Sequence, residues 1–205
     1  DQNQMASYIS GLAATYDTVG MDRTFSTYDG RGISIMGGTY GWKIDQEAEV
    51  KALAEIIENG ETQVREPVYA QEGLSRKTND IGYTYIEIDL TAQRMVFYKN
   101  GTPIADAPVV SGNPYVPNCA TPTGCYTVGE TKSGYTVNGE DYPSAVNYWI
   151  PFDGNLGIND APWRGSFGEQ LYEFEGTHGS ICAPTDQVQI IYSNVEKNTP
   201  VVIYE

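Results

Sequence analysis

The residues able to do covalent or acid–base chemistry crowd toward one end of the chain. The run Thr177-His178-Gly179-Ser180-Ile181-Cys182 sets the only histidine beside a serine hydroxyl and a thiol. A hydroxyl or thiol near an imidazole is what nucleophilic catalysis uses, because the base takes the proton and the anion attacks. For cysteine the thiolate is the reactive form. In an extended strand positions 178, 180 and 182 face one way. A straight strand then leaves Cys182 about 13 Å from His178, and a bend after Gly179 shortens that. Taken alone, His178 reads as a hydrogen-bonded structural residue, and Cys182 as an ordinary buried thiol.

The other two thiols, Cys119 and Cys125, flank Ala120-Thr121-Pro122-Thr123-Gly124. They form either a short disulfide across that turn or two free thiols, and bond geometry decides between these. No cysteine pair has the C-x-x-C spacing, and one histidine cannot complete a Cys/His zinc cage. No metal and no cofactor are expected. Arg164 suits a bidentate grip on a ligand carboxylate, or equally a salt bridge to one of the 27 acidic residues. Trp149 and Trp163 read as core or cleft walls, since aromatic faces serve both. Asp160 reads as a loop-orienting group through local hydrogen bonds.

The net charge of −15 excludes nucleic acid as a partner, because phosphate binding needs basic patches. It also argues against adhesion of the folded part to anionic lipid. The plain reading is solubility outside the cell. Apolar residues make up 40% of the chain, enough for a core. No apolar run approaches the ~20 residues of a membrane span. No signal peptide is visible, so any anchor or signal is expected outside this chain.

The elements that must position these groups change character along the chain. A helix is expected over Met5–Tyr16, then strands at Arg23–Tyr28 and Ile33–Met36 around the Asp29-Gly30 turn. The clearest helix spans Asp45–Asn59. Asp45 serves as its cap, Ala48, Leu53, Ile56 and Ile57 share a face, and Asn59-Gly60 stops it. Val64–Tyr69 reads as a strand. The polar stretch Ser75–Asp80 reads as the boundary between a domain at 1–80 and one at 81–205. After it the pattern is β: Tyr83–Leu90, Arg94–Lys99, the hairpin signal Asn100-Gly101, Thr102–Ser111, Cys125–Thr131, Ala145–Phe152 and a closing strand at Pro200–Tyr204. One late helix is expected at Thr185–Asn194, capped by Thr185.

Three stretches together carry a resemblance. Tyr85–Leu90 with Arg94–Gly101 resembles the opening hairpin of L,D-transpeptidase (YkuD-type) catalytic domains. Ala120-Thr121-Pro122-Thr123-Gly124-Cys125-Tyr126 resembles their T-P-T-G segment. Gly157–Arg164, Ser166-Phe167-Gly168 and Gly176-Thr177-His178-Gly179 resemble their signature block. The stretch Gly38–Asp45 resembles the small peptidoglycan-binding-like domain that precedes this catalytic domain in some Gram-positive enzymes. The fold implied is an α+β N-terminal domain followed by a mainly β L,D-transpeptidase-like domain, with a mixed sheet around Thr177–Cys182. The location implied is the outer face of a bacterial envelope, in the cell wall.

The resemblance also implies a reaction. In the family a cysteine attacks a stem peptide of peptidoglycan, D-alanine leaves, and an amine of a neighbouring stem resolves the acyl-enzyme. Laid on that pattern, the nucleophile position is Ser180 and the base position is Asn159. Cys182 stands where the family has Asn or Arg. A serine hydroxyl needs a stronger base than a thiol does, and an amide cannot accept a proton at neutral pH. Three readings stay open: a chain that kept the cleft and lost the chemistry, a serine introduced in place of cysteine, or chemistry moved to Cys182 with His178 as base. The candidate catalytic residues are thus Ser180, His178, Asn159 and Cys182. Tyr148, Trp163, Arg164, Thr177 and Gly179 are the candidate substrate contacts. The expected partners are stem peptides, with a carbapenem-type β-lactam as a further ligand.

Overall fold

The computed structural model describes residues 1–77, 79–138 and 143–205, without the side chains at 138 and 143. The stretch expected as a domain boundary includes Thr78, which lies outside the described residues.

Helix α1 (Gln2–Tyr16) begins where the Asp1 side chain accepts from the Asn3 amide. Strands β1 (Arg23–Ser26) and β2 (Gly32–Ile35) form the expected hairpin. After β3 (Lys43–Ile44) comes α2 (Gln46–Glu58), where Asp45 accepts from the Ala48 amide at 3.0 Å, as a helix cap should. The two helices close over Ile9, Ala13 and Ile44.

The strand expected at Val64–Tyr69 is not formed; only β4 (Tyr69–Gln71) pairs, with β3. The reason is Glu49, buried on α2. Its carboxylate accepts from Arg65 at 2.7 and 3.0 Å and from the Val68 amide at 2.8 Å. This backbone is held by a helix side chain instead of by a neighbouring strand.

The chain then runs β5 (Tyr85–Asp89), β6 (Arg94–Lys99), β7 (Thr102–Pro108), β8 (Gly124–Thr127), β9 (Lys132–Asn138), β10 (Pro143–Asp153), β11 (Leu156–Asp160), α3 (Leu171–Glu175), β12 (Ile181–Ala183), α4 (Thr185–Asn194) and β13 (Pro200–Tyr204). Asn100 and Gly101 both take positive φ, as a two-residue hairpin turn requires. One sheet has the order β7-β6-β5-β13-β8 and the other β12-β11-β10-β9. The second is mixed: β11 runs parallel to β12 and antiparallel to β10. The core includes Ile88, Phe97, Ile150, Ile158, Ile181 and Ile203, all fully buried, with Val188 and Ile191 of α4 among them. Helix α4 has the span expected, but Thr185 is not its cap; its hydroxyl donates instead to Asp160.

The N-terminal part also shares the first sheet's buried surface. Phe25, Ile35 and Tyr40 cluster with Cys125, Val202 and Tyr204. The Tyr40 amide donates to the Cys125 carbonyl at 2.9 Å, and the Cys125 amide to the Gly37 carbonyl at 3.3 Å. Gly38, at φ +89°, makes this approach possible, since a Cβ there would sit 2.1 Å from the Cys125 carbonyl oxygen. Among the described residues no helix is long and apolar enough to cross a membrane.

Candidate functional site

The parallel pairing of β11 and β12 aligns Asn159 with Cys182 and Ile158 with Ile181. The Asn159 amide therefore stands beside the thiol. Its Nδ2 donates to Cys182 Sγ at 3.5 Å and to the Asp160 carbonyl at 2.9 Å. Ser180 lies just before β12, and its Oγ accepts from the Gly157 amide at 3.2 Å.

The segment leading into β12 is a tight turn and not the extended strand expected over 178–182. The Thr177 hydroxyl accepts from the Gly179 amide and donates to the Ser180 carbonyl, and Gly179 has φ +102°. The strict alternation of positions 178, 180 and 182 is lost there. All three nevertheless line one cleft of about 380 Å³, together with Asn159, Trp163, Arg164 and Thr177. Gly179 is buried in the turn behind them.

Thr121, in the loop before β8, braces that turn. Its hydroxyl accepts from the Gly112 amide at 2.8 Å and donates to the Gly179 carbonyl at 3.0 Å. Sequence reasoning did not single out Thr121 as a positioning residue, although the T-P-T-G run contained it. Nor did it find that Cys119, Asn118 and Leu156 line the cleft. Asn118 and Cys119 come from the loop before β8 and Leu156 from the start of β11, and no local signal marks them.

Asp160 does more than orient a loop. It is fully buried and accepts from the Asn147 and Tyr148 amides at 2.8 and 2.9 Å, from Asn147 Nδ2 at 2.6 Å and from Thr185 at 3.2 Å. A buried carboxylate so satisfied ties β10 to the start of α4. Tyr148 is placed away from the cleft, packed on Tyr192 with ring centroids 5.0 Å apart. Trp163 is half exposed at the cleft, whereas Trp149 is buried against Tyr135. All three cysteines are free thiols, so Cys119 and Cys125 are not bridged.

The electrostatics leave the candidate nucleophiles without help. Burial pushes the Cys182 thiol up, although Arg164 and Asn159 pull the other way. At neutral pH it is therefore a thiol and not a thiolate. His178 is exposed on the cleft. Neither Ser180 nor Cys182 has a base in hydrogen-bond contact among the described residues. Among those residues no cluster could hold a metal ion. Arg164 has its guanidinium mostly buried. It donates to the Glu175 carbonyl and lies 3.6 Å from Glu175 Oε2, a carboxylate that is 70% exposed.

Residues 83–203 match the L,D-transpeptidase catalytic domain model, and residues 1–65 match a peptidoglycan binding domain model. All of this chain aligns with 82% of the crystal structure of an Enterococcus faecium L,D-transpeptidase, a cysteine-to-serine mutant, at 34% identity and TM-score 0.79. The avibactam carbamoyl enzyme of Ldtfm gives 33% identity over 100% of this chain and 81% of its own, again with TM-score 0.79. An L,D-transpeptidase of Mycobacterium tuberculosis H37Rv shares the fold over 60% of this chain and 58% of its own, at 18% identity and TM-score 0.53. No curated protein matches the chain.

Proposed function

We propose a function from one premise: the chain belongs to the L,D-transpeptidase family. Its cleft binds peptidoglycan stem peptides, and it does not perform the family's cysteine acyl transfer. The observation that carries this reading is the pair at the cleft floor. Asn159, at the family's base position, donates its amide N–H to Cys182, and Ser180, at the nucleophile position, has among the described residues only a backbone amide as partner. An amide cannot take a proton from a hydroxyl at neutral pH. Losing base and nucleophile together removes several orders of magnitude of rate in comparable enzymes. Binding groups and reacting groups are separable, so the cleft walls at Trp163, Arg164 and Thr177 remain able to hold a peptide. The N-terminal match to a peptidoglycan binding domain supports the same ligand and a place in the bacterial cell envelope.

The opposing reading keeps turnover, with Ser180 or Cys182 as nucleophile; Cys182 lines the cleft and gives that reading its footing. Sedimentation with purified sacculi, followed by intact-mass measurement after carbapenem exposure, separates the two. The proposal expects the protein in the sacculus pellet and no mass adduct. Protein that stays in the supernatant sinks the binding reading, and an adduct on Ser180 or Cys182 restores the enzyme.

A further inference from the structure

We infer that the cleft is a receptor for a free α-carboxylate, the C-terminus of a trimmed stem peptide, and that Arg164 is the group that grips it. This rests on the stem-binding reading above and names the part of the stem that is read. The chain carries 27 acidic residues, yet among the described residues lining the cleft there is no carboxylate. What lines it instead can donate. The Ser180 hydroxyl accepts from Gly157, and its own proton has no acceptor among the described residues. The Arg164 guanidinium is held in place by the Glu175 carbonyl; among the described residues its Nε is buried with no partner, and its one carboxylate neighbour is the solvent-exposed Glu175 at 3.6 Å. An ion pair of that length to an exposed group is weak, so a ligand carboxylate can displace it and gain charge-assisted hydrogen bonds.

The substitutions point the same way. A thiolate at position 180 would repel an anion seated there. A neutral hydroxyl at Ser180 and a neutral amide at Asn159 do not. The site that in active relatives meets the carbonyl of an amide to be cleaved here suits the carboxylate left after cleavage. The trimmed peptide acid is therefore the preferred ligand, and the longer amide is held more weakly.

The test is calorimetric titration of the unaltered protein with three forms of a synthetic stem tripeptide. One is the free acid, one is amidated at the C-terminus, and one is amidated at its side-chain carboxyl. The free acid and the side-chain amide should bind alike, and the C-terminal amide about tenfold or more weaker. Arg164→Gln should abolish the difference and Arg164→Lys should keep part of it, with circular dichroism confirming the fold of each. Equal binding of acid and C-terminal amide overturns the carboxylate inference while leaving stem binding intact. Loss on the side-chain amide instead overturns the choice of the α-carboxylate. Absence of binding by all three removes both readings. Because the acid–amide comparison uses the unaltered protein, it decides the matter even if the Arg164 variants fail to fold.

Discussion

Replacing Thr121 with valine keeps the shape of the side chain and removes its hydroxyl. That hydroxyl joins two backbone groups from different parts of the chain, the Gly112 amide at 2.8 Å and the Gly179 carbonyl at 3.0 Å. Both bonds are buried, so Thr121→Val leaves one donor and one acceptor unmet, away from water. Each such group costs about 1–3 kcal/mol, and the added methyl returns a fraction through burial; the net loss is roughly 2–4 kcal/mol. With a urea m-value of about 2 kcal/mol/M, the unfolding midpoint falls by about 1–2 M with m unchanged. The loss is also local, because the Gly179 turn carries His178 and Ser180 into the cleft. Sacculus retention should therefore weaken even in urea-free buffer, where the variant is folded. A midpoint shift below roughly 0.3 M would refute the claim that this hydroxyl braces the site.

Other expectations follow from the same geometry. The double variant Asn159→His with Ser180→Cys should form a carbapenem adduct that the unaltered chain does not form, and Ser180→Cys alone should do so about 10²–10⁴-fold more slowly; stopped-flow fluorescence or timed intact mass reads this. Gly38→Ala forces a Cβ to within 2.1 Å of the Cys125 carbonyl at φ +89°, so it should destabilise by at least about 2 kcal/mol and lower Tm by roughly 4–8 °C or more in a thermal melt. Burial pushes the Cys125 thiol up to about 12. An unfolded thiol ionises near about 8.5, so the contribution of Cys125 is full below that pH and is lost as pH rises toward the folded value. Urea midpoints measured at about pH 7.5 and about pH 10 should fall less in Cys125→Ala than in the parent, and equal slopes would contradict this.

Much of the fold was legible where local chemistry and tertiary packing agree. Helix α2 carries its own cap at Asp45 and its own stop at Asn59-Gly60. Asn100-Gly101 specifies its turn by backbone preference alone. Val64–Tyr69 does not form the expected strand because the β-prone Val64, Val68 and Tyr69 say nothing of Glu49, a distant carboxylate that accepts from Arg65 and the Val68 amide. Strands β11 and β12 were hidden among Gly and Pro, and their parallel pairing joins segments more than twenty residues apart. That pairing, not any local pattern, puts Asn159 against Cys182. At the site, Thr177, His178 and Ser180 could be placed from residue type and order. Tyr148 could not: it shares a face of β10 with the cleft-lining Ser144 and Val146, but it lies further along the strand, where Tyr192 of α4 packs on its ring.

The central claim is a cleft that holds a stem peptide without cleaving it. One titration tests it: an isotope-labelled sample observed by two-dimensional NMR while a disaccharide tetrapeptide is added, with released D-alanine followed in the same tube. The account predicts saturable shifts of the Asn159, Trp163, Thr177 and Ser180 amides and no D-alanine at any protein concentration. Release of D-alanine in proportion to protein, or shifts absent from these residues, would contradict it.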